Sequence, residues 1–70
     1  MGEPGEALPL LRAALELRRL LLGERHLLVA HSLNNTGQAY RARGAFRKAL
    51  PLYKRSLAIR AEAAGKESPE

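Results

Sequence analysis

The chain has 70 residues, a formal net charge of +5, no cysteine, no tryptophan and no aspartate. This length allows one small domain with little surface to bury, and the missing cysteines exclude disulfides and thiolate metal sites as staples. Leucine and alanine dominate the apolar 46%, and Val29, Thr36 and Ile59 are the only β-branched residues, so helices are expected and strands are not.

Residues 1–5 contain two glycines and a proline and read as a flexible tail. They lack the basic start and apolar core of a secretory signal. Gly2 matches the start of a myristoylation motif, but Glu6 stands where that motif needs Ser or Thr. No apolar run approaches the ~20 residues that span a bilayer. The expected setting is the cytoplasm, with the nucleus left open.

A first helix is expected over residues 6–22, with Glu6 favouring its N-terminus. Leu8, Leu11, Leu15 and Leu22 mark one face, and Leu10, Ala14, Leu17 and Leu21 mark a neighbouring one. A surface helix shows one apolar stripe; two stripes call for neighbours on two sides. Pro9 fits only if it lies near the first turn. Gly23 reads as a left-handed C-cap, and Glu24-Arg25-His26 as a polar link.

A second helix is expected over residues 27–43. Leu33, Thr36 or Gly37, and Tyr40 recur at helical spacing on its core side, while His31, Asn34, Asn35, Gln38 and Arg41 share the opposite side. Gly37 in mid-helix costs about 1 kcal/mol relative to alanine, so close packing is expected there.

Gly44 marks the next turn, and a third helix is expected over residues 46–64. One stripe is Phe46, Ala49, Leu50, Tyr53 and Leu57; a second is Leu52, Ser56, Ile59 and Ala63. Pro51 should delay the regular start to Arg47 or Lys48, or bend the first turn. Gly65 reads as the C-cap and residues 65–70 as a second flexible tail. Seven basic residues and no acid lie between Arg41 and Arg60, a charge bias that suits an acidic partner.

Sliding the chain on itself by 42 residues aligns the first and third helices. Gly2, Ala7, Leu8, Pro9, Leu10, Leu15, Arg18 and Gly23 meet identical residues, 8 of 28 overlapping pairs. The shared proline at an awkward helical position is the most informative pair, because leucine and alanine coincidences come easily here. The chain therefore contains an internal repeat of helix pairs.

Leu33, Thr36, Gly37 and Tyr40 occupy the first-helix places of the tetratricopeptide signature, and Ala49 and Tyr53 its second-helix places. On these residues the chain resembles a tetratricopeptide repeat. Ser32-Leu33-Asn34-Asn35, Ala49-Leu50-Pro51-Leu52-Tyr53, Leu57-Ala58-Ile59-Arg60 and the link Gly23-Glu24-Arg25-His26 are similar to the 42-residue variety of kinesin light chains and nephrocystin-like proteins. Leu33 replaces the signature tryptophan, Thr36 a leucine and Ser56 an alanine, and Leu27 stands where the variety often has proline. Armadillo or HEAT helix pairs are the structural alternative.

The resemblance implies an all-α fold: a three-helix fragment of a tetratricopeptide solenoid, about one and a half repeats. It implies repeat packing through Leu33, Gly37, Tyr40, Ala49, Tyr53 and Leu57. It also places His31, Asn34, Asn35, Gln38 and Arg41 on the concave groove that binds extended peptides in that family. Their chemistry suits the role: amides both donate and accept, and a guanidinium forks onto a carboxylate.

Catalytic sets are not found. A Ser-His-Asp triad needs aspartate and a Cys-His pair needs cysteine. His26 and His31 are not spaced to share a helix face as metal ligands. The expectation is a non-enzymatic scaffold with no cofactor and no metal, binding an acidic or extended peptide or another repeat. The alternative is a self-associating piece that joins a second chain through Leu10, Leu17 and Leu21. Nucleic-acid binding is a weaker reading, without a recognition helix or an aromatic platform.

Overall fold

The computed structural model describes residues 4–67. Its elements are α1 (Pro4–Leu22), α2 (Leu27–Ala42) and α3 (Phe46–Glu67), with no strand among the described residues. The chain reverses twice, and each reversal carries a glycine with positive φ, +94° at Gly23 and +79° at Gly44. That conformation is costly for any residue with a Cβ. At Gly23 the amide donates to the Arg19 carbonyl at 3.0 Å. Behind α2, Gly44 N–H donates to Arg41 O at 2.9 Å and Ala45 N–H to Tyr40 O at 2.9 Å. This paired arrangement satisfies carbonyls that the helix end leaves open.

α2 packs between the other two helices. Val29, Ala30 and Leu33 of α2 meet Ile59 of α3, with Leu15 of α1 and Leu52 of α3 packed against them. Each large aliphatic chain buried this way contributes roughly 1.5–3 kcal/mol. The aliphatic hydroxyls buried in the same layer, of Ser32, Thr36 and Ser56, are bonded. Thr36 Oγ1 donates back to Ser32 O at 2.8 Å. Ser56 Oγ crosses to α2 and donates to Ala30 O at 2.9 Å. The serine in place of alanine thus ties the two helices together.

The expected close packing at Gly37 takes a specific form. A Cβ there would lie 3.0 Å from Tyr53 Cε1, 3.2 Å from Cζ and 3.3 Å from Cδ1. The space that the glycine leaves is filled by the ring of α3, not by a helix backbone.

Several expectations need correction. α1 starts at Pro4, two residues before the predicted start, so the tail expected over residues 1–5 is helical at Pro4 and Gly5; residues 1–3 lie outside the described residues. Pro9 is therefore the sixth residue of α1 and lies beyond its first turn. Pro51 is likewise the sixth residue of α3, and α3 nevertheless begins at Phe46. Gly65 does not cap α3, which continues to Glu67. Glycine permits the left-handed conformation without requiring it.

Leu22 is exposed, as are Phe46, Leu50 and Leu57 of the first α3 stripe. Leu57 makes no repeat packing within these three helices. α3 has two apolar stripes, and α2 covers Leu52, Ser56 and Ile59 of one together with Ala49 and Tyr53 of the other.

Candidate functional site

His31, Gln38 and Arg41 lie three or four residues from Asn34 or Asn35 or from one another, which puts the five on one side of a helix. The buried residues of α2 are Val29, Ala30, Ser32, Leu33, Thr36 and Gly37, and they take up the other side. Burial agrees with this division. His31, Gln38 and Arg41 are exposed, and Asn34 and Asn35 are half-buried. Among the described residues none of the five side chains forms an intramolecular hydrogen bond.

The five residues form a stripe on a single helix. The nearest concavity is a hollow of about 460 Å³ lined by Gln38, Arg41, Ala42 and Phe46. A larger hollow of about 550 Å³ is lined from all three helices, by Arg12, Glu16 and Arg19 of α1, Thr36 and Tyr40 of α2 and Leu52 of α3. Of the residues expected to pack, Leu33, Gly37 and Ala49 are buried, and Tyr40 and Tyr53 are half-buried. Lys48 Nζ sits 5.9 Å from the Tyr40 ring centroid, within range of a weak cation–π attraction.

Electrostatics divide the molecule along its length. At the α1–α2 turn, Glu24 accepts from Arg19 at 2.8 Å and from Arg55 at 2.9 Å. Glu62 pairs with Arg25 at 3.3 Å, and Glu16 with Arg19 at 3.0 Å. The Arg19 hydrogen bond and charge hold the Glu24 carboxyl below its ordinary value, with a smaller push from Arg55. Each pair is solvent-exposed and individually weak; together they tie the link to α1 and α3. At the α2–α3 turn, Arg41, Arg43, Arg47 and Lys48 have no acidic residue near them in sequence.

Three side-chain arrangements were not read from the sequence. His26 is the N-cap of α2, its Nδ1 accepting from Leu28 N–H at 3.0 Å; histidine is outside the usual capping set. Arg18 Nη1 donates to Ser32 Oγ at 2.9 Å and to Leu28 O at 3.2 Å, joining α1 to α2. Tyr53 Oη is buried with no hydrogen-bond partner among the described residues. The repeat of Arg18 at Arg60 was the one available signal for the second of these.

Among the described residues no group of three or more His or Glu side chains could hold a metal ion. No described helix is long and apolar enough to cross a membrane. A family model described as tetratricopeptide repeat matches residues 1–62. No curated protein and no solved structure matches the chain.

Proposed function

The chain belongs to the tetratricopeptide repeat family, whose repeats generally mediate protein–protein interaction, and from that premise we propose that it is a non-enzymatic interaction module whose α2 stripe binds an extended, acid-bearing peptide. The observation that carries this reading is the stripe of His31, Asn34, Asn35, Gln38 and Arg41, opposite the buried side of α2 and unused by internal hydrogen bonds. Asn34 and Gln38 supply amides for a peptide backbone, and Arg41 a fork for a carboxylate. The surplus of positive charge between Arg41 and Arg60 favours approach of an acidic segment. We further assign the chain to the 42-residue variety, on the period and on Ser32-Leu33-Asn34-Asn35.

The test is a calorimetric titration of acidic peptides against the wild type and against Asn34→Ala, Gln38→Ala and Arg41→Ala. Loss of a charge-assisted hydrogen bond is worth roughly tenfold or more in affinity. Equal binding by all four proteins refutes the assignment.

A second reading is self-association. Leu10, Leu17, Leu20 and Leu21 form an exposed apolar side of α1, and contiguous apolar surface of this kind marks interaction sites. Sedimentation as a concentration-independent monomer excludes it.

A further inference from the structure

The hollow lined from all three helices coincides with a departure from the repeat signature. The signature has a leucine three residues after its tryptophan; the corresponding residues here are Leu33 and Thr36. Thr36 is buried at the floor of the hollow, and its hydroxyl turns back to Ser32 O at 2.8 Å. It reaches less far than a leucine would, and about 550 Å³ stands open over it. That volume lies within the ~300–1,000 Å³ of small-molecule sites, which combine apolar walls with a few convergent polar groups. The walls here are Leu15, Leu52 and Tyr40, all half-buried, with Ala13 exposed at the rim.

The charged groups around the hollow fix the sign of its occupant. Glu16 lines it but is held by Arg19 Nη1 at 3.0 Å. Arg19 gives Nη2 to Glu24 at 2.8 Å, and its Nε–H is buried with no acceptor among the described residues. Arg12 is exposed and forms no hydrogen bond or ion pair among the described residues. Lys48 Nζ adds a cation 5.9 Å from the Tyr40 ring centroid. The uncommitted charge is therefore positive, beside apolar walls. We propose that this hollow binds a small amphipathic carboxylate, with its apolar body against Leu15, Leu52 and Tyr40 and its carboxylate forked by Arg12. A buried N–H without an acceptor is costly, and a ligand oxygen that displaced the exposed Glu16 carboxylate from Arg19 would supply one. Walls from three helices suit a compact body better than an extended chain, so the occupant is a free small molecule. The hollow shares no residue with the α2 stripe, so failure of peptide binding leaves this inference standing.

The experiment titrates phenylacetate into the whole chain and follows the backbone amide resonances, with phenylacetamide, acetate and inorganic phosphate as comparisons. Phenylacetate should give saturable shifts centred on residues 12–19, Thr36, Tyr40 and Leu52. Phenylacetamide lacks the charge and acetate lacks the ring, and each should bind roughly tenfold more weakly or worse. Arg12→Ala should weaken phenylacetate roughly tenfold, and Ala13→Glu should weaken it as well by placing a like charge at the rim. Thr36→Leu restores the signature residue, fills the floor and should abolish the saturable shifts. If that variant does not fold, Arg12→Ala and Ala13→Glu still decide, because both positions are exposed. Binding unchanged by Arg12→Ala and Ala13→Glu, or retained by a folded Thr36→Leu chain, overturns the inference. Acetate or phosphate as tight as phenylacetate would reduce the hollow to a charged surface, and phenylacetamide as tight would show that the charge is not read; either overturns it. Shifts centred on residues 41–48 would assign the ligand to the cationic turn, and an acidic peptide that moves the hollow's resonances where phenylacetate does not would make the occupant a protein segment. Both results overturn it too.

Discussion

Gly37→Ala weighs two opposed effects at one atom. Alanine is the better helix residue by about 1 kcal/mol in a helix interior, so on local grounds the substitution stabilises α2. The new methyl carbon, however, would sit 3.0–3.3 Å from three ring atoms of Tyr53, where carbon pairs prefer about 3.5–4.0 Å. Relieving the closest approach needs a ring shift of about 0.5 Å on that scale. Tyr53 is half-buried and its hydroxyl end is enclosed, so the ring has little room to retreat. Overpacking of this kind costs typically 1–3 kcal/mol, and the net expectation is a loss of about 1 kcal/mol. The assay is urea unfolding of wild type, Gly37→Ala, Tyr53→Leu and the double variant, compared at constant m. Tyr53→Leu is destabilising in its own right, since it removes aromatic contact area. In that background, though, Gly37→Ala should become stabilising, so that the cycle shows a coupling of at least about 1 kcal/mol. A single Gly37→Ala variant more stable than wild type, with coupling below about 0.5 kcal/mol, would refute the claim that the ring demands the glycine.

Three further outcomes follow from particular atoms. Tyr53→Phe removes a buried hydroxyl without a partner, so it should be neutral or stabilising by about 1 kcal/mol in the same urea assay; a clear loss would show that the hydroxyl is bonded. His26→Ala deletes the bond to Leu28 N–H and should cost about 1 kcal/mol, while His26→Asp should restore a cap; equal losses in both would mean that the cap contributes nothing. Glu24 titrates below its ordinary 4.5 in the folded chain, so between the two values the unfolded chain binds more protons and stability rises with pH. Its contribution is present above pH 4.5 and is lost as pH falls through the depressed value. Glu24→Gln should flatten that part of the midpoint-versus-pH curve, and parallel curves for the two proteins would remove Glu24 as the cause.

The turns were legible because Gly23 and Gly44 both lie between helical periodicities, and a left-handed turn has few other solutions. The polar stripe of α2 was legible for a similar reason, since helical spacing alone separates Asn34 and Gln38 from Leu33 and Gly37. Periodicity could not tell which stripe of α1 and α3 would be covered. Both stripes are apolar, and the choice depends on where a single α2 lies, so Leu57 looked as buried as Ile59. Gly65 occupies the register place of Gly23, yet it stays helical while Gly23 turns; sequence identity does not carry the backbone conformation with it. The His26 cap was hidden because its residue type carries no capping expectation.

The α2 stripe also has a direction. Arg41 and the hollow beside Phe46 lie at its C-terminal end, and His31 lies ten residues away, about 15 Å along a helix. The described carboxylates Glu24 and Glu62 are held in ion pairs with residues of the α1–α2 link, α1 or α3, while the α2–α3 turn contributes Arg41, Arg43, Arg47 and Lys48. Attraction between unlike charges falls off over about 8 Å at physiological salt, so the two ends of the stripe act on a ligand almost independently. If the stripe binds an acid-bearing peptide as proposed, the acidic group should settle at the Arg41 end and the neutral backbone should run along Gln38 and Asn34 towards His31. A peptide with a nitroxide next to its single carboxylate reads this directly. Its relaxation effect should centre on resonances of Gln38 to Phe46, and Arg41→Ala should abolish that preference. Broadening centred on His31, or unchanged by Arg41→Ala, means that the cationic turn does not orient the ligand.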